Sequence, residues 1–338
     1  MAKQSRPYLL ETVNCDYCGS SVYNTYIKSA KELYNGFNDY FDVVQCVDCD
    51  FIFTNPRPTK DSMGYFYPDT SGYFHSQVRM NSSGISRQIF ESVLANHLGY
   101  VLPSRFNKTL TYLVFLVYRK KFSLLHIPRY VKNGKLLDVG CSWGNYLYQM
   151  KRLGWANIYG IEPNENAVQF ARNKLGLNNV RRGSSDDLHL FSENFFDVIN
   201  LSMVLEHVYS PQSLLEQLYA ITAPGGHVIV SVPDITGFEA KVYRDKCYSL
   251  QVPQHLNHFS PQSLRQYIER AGFIVKRIIH QQTDRDLVSS SGYFEDQRLA
   301  KGLHHPIIRH TAVRMFVTLL SMFGKTSRMT VYVRKPYE

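Results

Sequence analysis

Leu136 to Leu147 reads LLDVGCSWGNYL: an apolar run stopped by Gly140, then a short turn, then the start of a helical pattern. Lys135 to Val139 is expected to be a buried strand. From Asn145 the apolar residues Leu147, Met150 and Leu153 recur at helical spacing, and Gly154 ends the helix. Strand, turn and helix in that order put bare backbone at the carboxyl edge of the strand, where open parallel sheets bind ligands. Gly140 and Gly144 suit such a turn, because a Cβ at either point would fill the ligand's space or forbid the turn. A dinucleotide fingerprint would need glycine at 142 and 145; Ser142 and Asn145 stand there, which disfavours a pyrophosphate cradle.

Downstream the alternation continues. Strands are expected at Ile158–Ile161, Val180–Arg182, Phe196–Leu201 and His227–Val232, the last after the turn Pro224-Gly225-Gly226. Helices are expected at Asn164–Leu175 and Pro211–Ile221. Ser260 and Pro261 open a further helix that stops at Gly272, Ile274–Ile279 is a strand, and Arg328–Val333 is the last one. This pattern predicts an α/β fold, a Rossmann-like seven-stranded, mostly parallel sheet with helices on both faces. Glu162 closes the second strand, where a carboxylate can accept hydrogen bonds from both hydroxyls of a ribose. A nucleoside ligand is implied.

Five stretches carry a resemblance: LLDVGCSWGNYL (136–147), YGIEPNENAVQFA (159–171), FFDVINLSMVLEHV (195–208), APGGHVIVSVPD (223–234) and PQHLNHFSPQSL (253–264). They resemble the seven-stranded methyltransferases that use S-adenosylmethionine, and more narrowly the bacterial subgroup with a Cys-x-x-Cys head that includes sugar C-methyltransferases. The resemblance covers about residues 134–282 well and the head moderately. It implies that Gly140, Ser142 and Gly144 line the methionine part of the cofactor, with Asp138 before them. Glu162, followed by Pro163, would hold the ribose, and Met203 and Leu205 would face cofactor and substrate. Many relatives place an acid against the adenine amino group where this chain has Ser184; Ser184, Ser185 and Asp186 all remain candidates.

Methyl transfer from a sulfonium needs alignment, and a base where the acceptor must lose a proton. Candidates follow the fourth and fifth strands: Glu206-His207, and Gln254-His255 before the capped helix. In similar sugar methyltransferases an acid precedes the histidine and is the proposed base. Gln254 cannot take a proton, which shifts the role to His255 or His207, or to an acceptor that needs only positioning. Tyr243 and Tyr248 are candidates for the acceptor pocket.

Cys15-x-x-Cys18 and Cys46-x-x-Cys49 have the spacing of a four-thiolate zinc ribbon. Four sulfurs complete a tetrahedron, so the zinc is expected to be structural, with Cys141 and Cys247 as reduced thiols. In the resembling subgroup the head and a tyrosine-rich stretch cover the acceptor; Tyr65, Phe66, Tyr67, Tyr73 and Phe74 fit that role.

Composition sets the outer bounds. With 338 residues, 44% hydrophobic and 20% charged, the chain is too apolar and aromatic to be mostly disordered. Three regions are expected: a zinc-ribbon head with its acceptor-side segment (1–70), a basic aromatic helical linker or lid (71–133), and the cofactor-binding domain (134–338) with a helical insertion before the last strand. The net charge of +10 is concentrated in two segments. Residues 80–133 hold eight Lys/Arg against one acid, and residues 300–338 hold seven against one. Such arms suit an anionic small-molecule or glycan acceptor, and peripheral contact with an inner membrane face. No signal-like or spanning run occurs, so a cytoplasmic protein is expected. The expected activity is methyl transfer from S-adenosylmethionine to a sugar, nucleotide-sugar or lipid-linked glycan, at carbon or oxygen. An RNA methyltransferase is one alternative, although no arrangement of basic and aromatic residues forms a recognisable RNA motif. Another is a zinc-ribbon interaction protein with a vestigial nucleoside pocket.

Overall fold

The computed structural model describes residues 7–68, 84–118, 122–296 and 298–338. Tyr73, Phe74 and the basic run Arg119 to Lys121 lie outside them. The head is an antiparallel sheet of β1 (Tyr23–Lys31), β2 (Tyr40–Cys46) and β3 (Ile52–Thr54). Two helices follow, α1 (Ile85–Leu98) and α2 (Lys108–Tyr118).

Then comes the regular alternation: β4 (Lys135–Val139), α3 (Asn145–Arg152), β5 (Asn157–Glu162), α4 (Glu165–Leu175), β6 (Val180–Arg182), β7 (Phe196–Ser202), α5 (Pro211–Ile221) and β8 (Thr222–Pro233). The chain continues through α6 (Phe238–Tyr243), β9 (Asn257–His258), α7 (Pro261–Arg270) and β10 (Ile274–His280). The insertion α8 (Arg285–Ser291), α9 (Arg298–His304) and α10 (Arg314–Met322) precedes β11 (Arg328–Arg334). Among the described residues no helix is long and apolar enough to cross a membrane.

The main sheet has seven strands in the order β10-β11-β8-β7-β4-β5-β6, parallel from β8 to β6, with β11 antiparallel to both neighbours. This is the expected fold. The chain winds outward from β4 to β6, then returns to place β7 on the other side of β4, which opens a crevice above the carboxyl ends of β4 and β7. Local chemistry sets the helix ends. Asn164 accepts a hydrogen bond from the Ala167 N–H at the start of α4, and Gly176, at φ +63°, closes it. Ser260 and Ser263 form a reciprocal cap on α7, with Pro261 in the first turn. The strand after the Pro-Gly-Gly turn begins earlier than expected: Thr222 already pairs with Phe196, and the register shifts before His227.

Alternation of side chains divides the core. Leu137, Val139, Ile199 and Leu201 pack with α5, α7 and the head residues Val44, Phe51 and Phe53. Leu136 and Val198 face the other way, against Leu94, Ile127, Leu147, Met150 and Val168. Packing therefore runs across residue 70 and across residue 133. The short β9 pairs with β3 and becomes the fourth strand of the head sheet. In the insertion, Val313 and Val317 are buried, while Met315, Leu319 and Met322 are exposed.

Candidate active site and structural metal centre

Gly140 and Gly144 have φ of +71° and +78°, in the region that favours glycine. A Cβ at Gly140 would stand 2.6 Å from Val204 Cγ2, and one at Gly144 would stand 2.7 Å from Leu177 Cδ1. The bare positions are thus needed for the turn and for packing of the loops on either side of it. Between them Ser142, also at positive φ (+48°), donates its N–H to Glu162 Oε2 at 2.9 Å. The Asn164 N–H donates to Glu162 Oε1 at 3.0 Å. One carboxylate therefore ties the ends of β4 and β5 together, and each oxygen keeps a lone pair for a hydroxyl. Burial raises the Glu162 pKa, and the two backbone donors oppose that rise. Among the described residues the Trp143 indole N–H, buried in the same turn, has no partner. A paired carboxylate with free lone pairs at the end of a turn of bare backbone fits the polar end of S-adenosylmethionine. Glu162→Ala should weaken S-adenosylmethionine binding at least about tenfold by titration calorimetry, because charge-assisted bonds to the ribose and the support of the turn are lost together.

Asp138 lies beneath the turn, 4% exposed, accepting from Asn200 Nδ2 at 2.6 Å. The chain of bonds continues from Asn200 Oδ1 to His126 Nδ1 (3.0 Å), from His126 Nε2 to Ser231 (3.2 Å) and on to Thr330 (2.7 Å). Burial pushes the Asp138 carboxyl up from 3.8 to about 7, against the Asn200 bond. Its folded-state pKa lies above the unfolded one, so the charge destabilises the fold increasingly between those two values and fully above about 7. Asp138→Asn should accordingly stabilise the protein by about 2 kcal/mol at pH 8, with the gain shrinking towards pH 5, as read by calorimetric melting.

The remaining cofactor candidates divide. Ser184 is engaged in its own turn: its hydroxyl accepts from the Asp186 N–H and its N–H donates to Asp187 Oδ2 at 2.6 Å. Asp186 pairs with Lys60 of the head. Pro163 is exposed at the opening of α4. Met203 sits at the tip of β7 at φ +57°, with Arg328 Nη1 3.6 Å from its sulfur. Leu205 is fully buried in the core beneath.

On the acceptor side the head and the β7 tip meet. His207 Nδ1 lies 2.9 Å from the Tyr67 hydroxyl and 3.0 Å from the Gln254 carbonyl. A carbonyl only accepts, so Nδ1 carries the proton and Nε2 the lone pair. His255 Nδ1 is 2.8 Å from the Ser249 carbonyl, which sets the same tautomer. The two rings meet edge to face at 4.6 Å between centroids. Burial lowers the His207 pKa to about 4 and that of His255 well below its ordinary value. Both imidazoles are neutral. Beside them Glu206 is fully buried, and among the described residues neither carboxylate oxygen has a hydrogen-bond partner. Burial raises its pKa to about 8. Arg328 is held by Asp286 at 2.5 and 3.1 Å and does not reach it.

Gln254 points away from this cluster. Its amide donates to Glu32 Oε1 at 3.2 Å and to the Phe66 carbonyl at 3.1 Å, fastening the acceptor loop to the head. An acid at 254 would face the buried Glu32 carboxylate, and that accounts for an amide here. Tyr243 belongs to the core, donating to the Leu287 carbonyl, and Phe66 is likewise buried. Tyr248 instead lines a cleft with Tyr34, Tyr293, Lys31 and Asp245. Glu206 stood beside His207 among the candidates offered by the sequence, but nothing in the local sequence told the isolated acid from its neighbour. Glu32, Tyr34, Asp286, Tyr293 and Arg328 carried no local signal.

The four head cysteines converge. Cys15 and Cys49 sulfurs are 3.5 Å apart, Cys18 and Cys46 are 3.4 Å apart, and all four lie within 4.8 Å of one another. Bonds of about 2.3 Å around a tetrahedral zinc need sulfurs about 3.8 Å apart, so the set fits that ion. The knuckles are closed by Gly19 N–H to Cys15 O (2.8 Å) and Asp50 N–H to Cys46 O (3.1 Å). Asp16, on the first knuckle, accepts from Ser210 Oγ and the Gln212 N–H at the start of α5.

A family model described as a methyltransferase domain matches residues 115–277. A ubiquinone biosynthesis O-methyltransferase of Schizosaccharomyces pombe is 31% identical over 102 residues, 29% of this chain and 37% of that protein. A tRNA U34 carboxymethyltransferase of Desulfotalea psychrophila is 29% identical over 155 residues, 44% of this chain and 48% of that one. The matched part spans less than half the length of either relative. A Thermotoga maritima structure described as a methyltransferase, possibly of histamine, aligns over 67% of this chain and 95% of its own at 19% identity and a TM-score of 0.43. Residues 115–277, just under half of the chain, thus match a methyltransferase-domain family model, and the glycine turn with Glu162 lies inside that matched domain. In this chain that domain carries a four-cysteine head.

Proposed function

We propose that the protein methylates a sugar, nucleotide-sugar or lipid-linked glycan. S-adenosylmethionine, when bound, supplies an electrophilic methyl group. The chain's part is then to hold the acceptor in line and to draw off its proton. Glu206 and His207, at the tip of β7, are the groups available for the proton; Tyr67 and Gln254 orient His207.

The observation that carries the acceptor class is the tyrosine cleft. Tyr248 and Tyr293 rings stand nearly parallel, 6.4 Å apart, and Tyr34 approaches Tyr248 at 6.2 Å. Arg285 stacks over Tyr248, and Lys31 lines the same cleft. Flat amphipathic rings with cations beside them suit a sugar attached to phosphate. The cleft also includes Gln251 and Val252, just before Gln254 in the acceptor loop.

Protein loaded with labelled S-adenosylmethionine should transfer label to members of a nucleotide-sugar and lipid-linked glycan panel, and Tyr248→Ala should raise KM for the acceptor at least about fivefold with cofactor affinity unchanged. The names of the relatives supply the competing arms, a ubiquinone precursor and tRNA. Label on either of those, with none on the glycans, overturns the acceptor reading.

A further inference from the structure

We propose that Glu206, His207 and His255 form a second metal site, for a divalent transition-metal ion, distinct from the four-cysteine centre. One donor atom from each lies within 4.8 Å of the other two. Three atoms so spaced share a point within about 2.8 Å of each, so inward shifts of less than about 1 Å reach the 2.0–2.2 Å of nitrogen and carboxylate bonds.

The preparation of the three groups supports this further than their spacing does. Each histidine hands its Nδ1–H to a backbone carbonyl, Gln254 O for His207 and Ser249 O for His255. That is the outer-shell bond that fixes a ligating imidazole and aims its Nε2 lone pair at an ion. The Glu206 carboxylate is enclosed, with both oxygens unbonded and His207 Nε2 4.0 Å away. An ordinary hydrogen-bonded cluster would have satisfied it. Among the described residues no cation contacts it either, since Arg328 is tied to Asp286. A cation bound by two imidazole nitrogens and one carboxylate repairs both defects.

Two nitrogens and one oxygen suit zinc, iron, cobalt or manganese, and they leave coordination positions open. This deepens the proposed function and rests on it for the acceptor. The open positions would take two neighbouring oxygens, as in a vicinal diol or an α-hydroxyketone of a sugar. With the metal bound, Glu206 and His207 would serve as its ligands in place of taking the proton themselves, and the ion would lower the pKa of a hydroxyl held there so that its proton could pass to solvent.

The test uses full-length protein shown by elemental analysis to hold one zinc in the cysteine site, titrated with Co2+. The expected result is one further ion per chain, with visible ligand-field bands and no thiolate charge-transfer absorption. Glu206→Gln and His255→Gln should each weaken cobalt binding at least about tenfold. Binding of S-adenosylmethionine by each variant shows that it is folded. No cobalt beyond the zinc, thiolate charge transfer from displacement of zinc, or equal affinity in both variants would overturn the site. Cobalt binding is read without turnover, so a missing site with methyl transfer intact removes the metal and leaves the activity. A filled site in protein that methylates no glycan removes the acceptor reading instead.

Discussion

Glu206→Gln should abolish most methyl transfer and at the same time make the protein harder to melt. Turnover is expected to fall at least about a hundredfold, the usual scale for removing a positioned acid or base. Cofactor affinity should stay within about twofold, because Glu162 and the glycine turn lie on other loops. The stability gain follows from solvation. Burial raises the Glu206 pKa to about 8, so folding at neutral pH must either strip the charge of water or take up a proton, and an amide of the same shape avoids both costs. The melting temperature should therefore rise by a few degrees, while an activity assay on the acceptor reads the loss. A variant that melts lower and keeps full turnover would mean that Glu206 is an ordinary packing residue. Opposed changes in stability and activity mark a group retained for its chemistry.

Cys46→Ser should have the largest effect on stability. Three sulfurs hold zinc poorly, and a closed tetrahedral site contributes folding energy directly. Zinc content by elemental analysis should fall well below one per chain, and the melting temperature by at least about 10 °C. The consequence reaches the active site along two routes. Asp16 on the first knuckle caps α5, the helix that follows His207. Glu32 and Phe66 hold the Gln254 amide, and the Gln254 carbonyl orients His207. Turnover is thus expected to fall more than cofactor affinity does. Normal zinc content in the variant would show that Cys46 is not a ligand.

Much of the fold was legible because parallel strands are uninterrupted apolar runs with glycine or proline at their ends. Lys135–Val139, Val180–Arg182 and Pro211–Ile221 begin and end where the residue pattern places them. The glycine turn and the cysteine pairs were legible for a related reason: their function depends on spacing along the chain. The acceptor side depends on spacing through space. Gln254 meets Glu32 from 222 residues away, and Arg328 meets Asp286 across 42. The isolation of Glu206 is a property of everything around it, so nothing in its neighbours' identities announces it. The aromatic segment of the head, expected as an acceptor wall, divides in the same way. Phe66 packs inward, whereas Tyr67 reaches His207.

The pairing of β9 with β3 bears on how the chain is made. Thr54 donates its N–H to the Leu256 carbonyl at 2.9 Å and its hydroxyl to the His255 carbonyl at 2.8 Å, a separation of 201 residues. During synthesis the zinc knuckles and β1 to β3 leave the ribosome early, with the β3 edge bare until residue 258 has followed. At about 5–20 residues per second that interval lasts on the order of ten seconds or more. Throughout it the head offers a strand edge and the apolar faces of Phe51 and Phe53, both of which invite pairing with other chains. A zinc ion taken up early by the four cysteines would stiffen the knuckles during that wait, and the head is complete only when the acceptor loop closes onto it. Truncation before residue 258 should accordingly leave an aggregation-prone fragment and not a smaller folded domain.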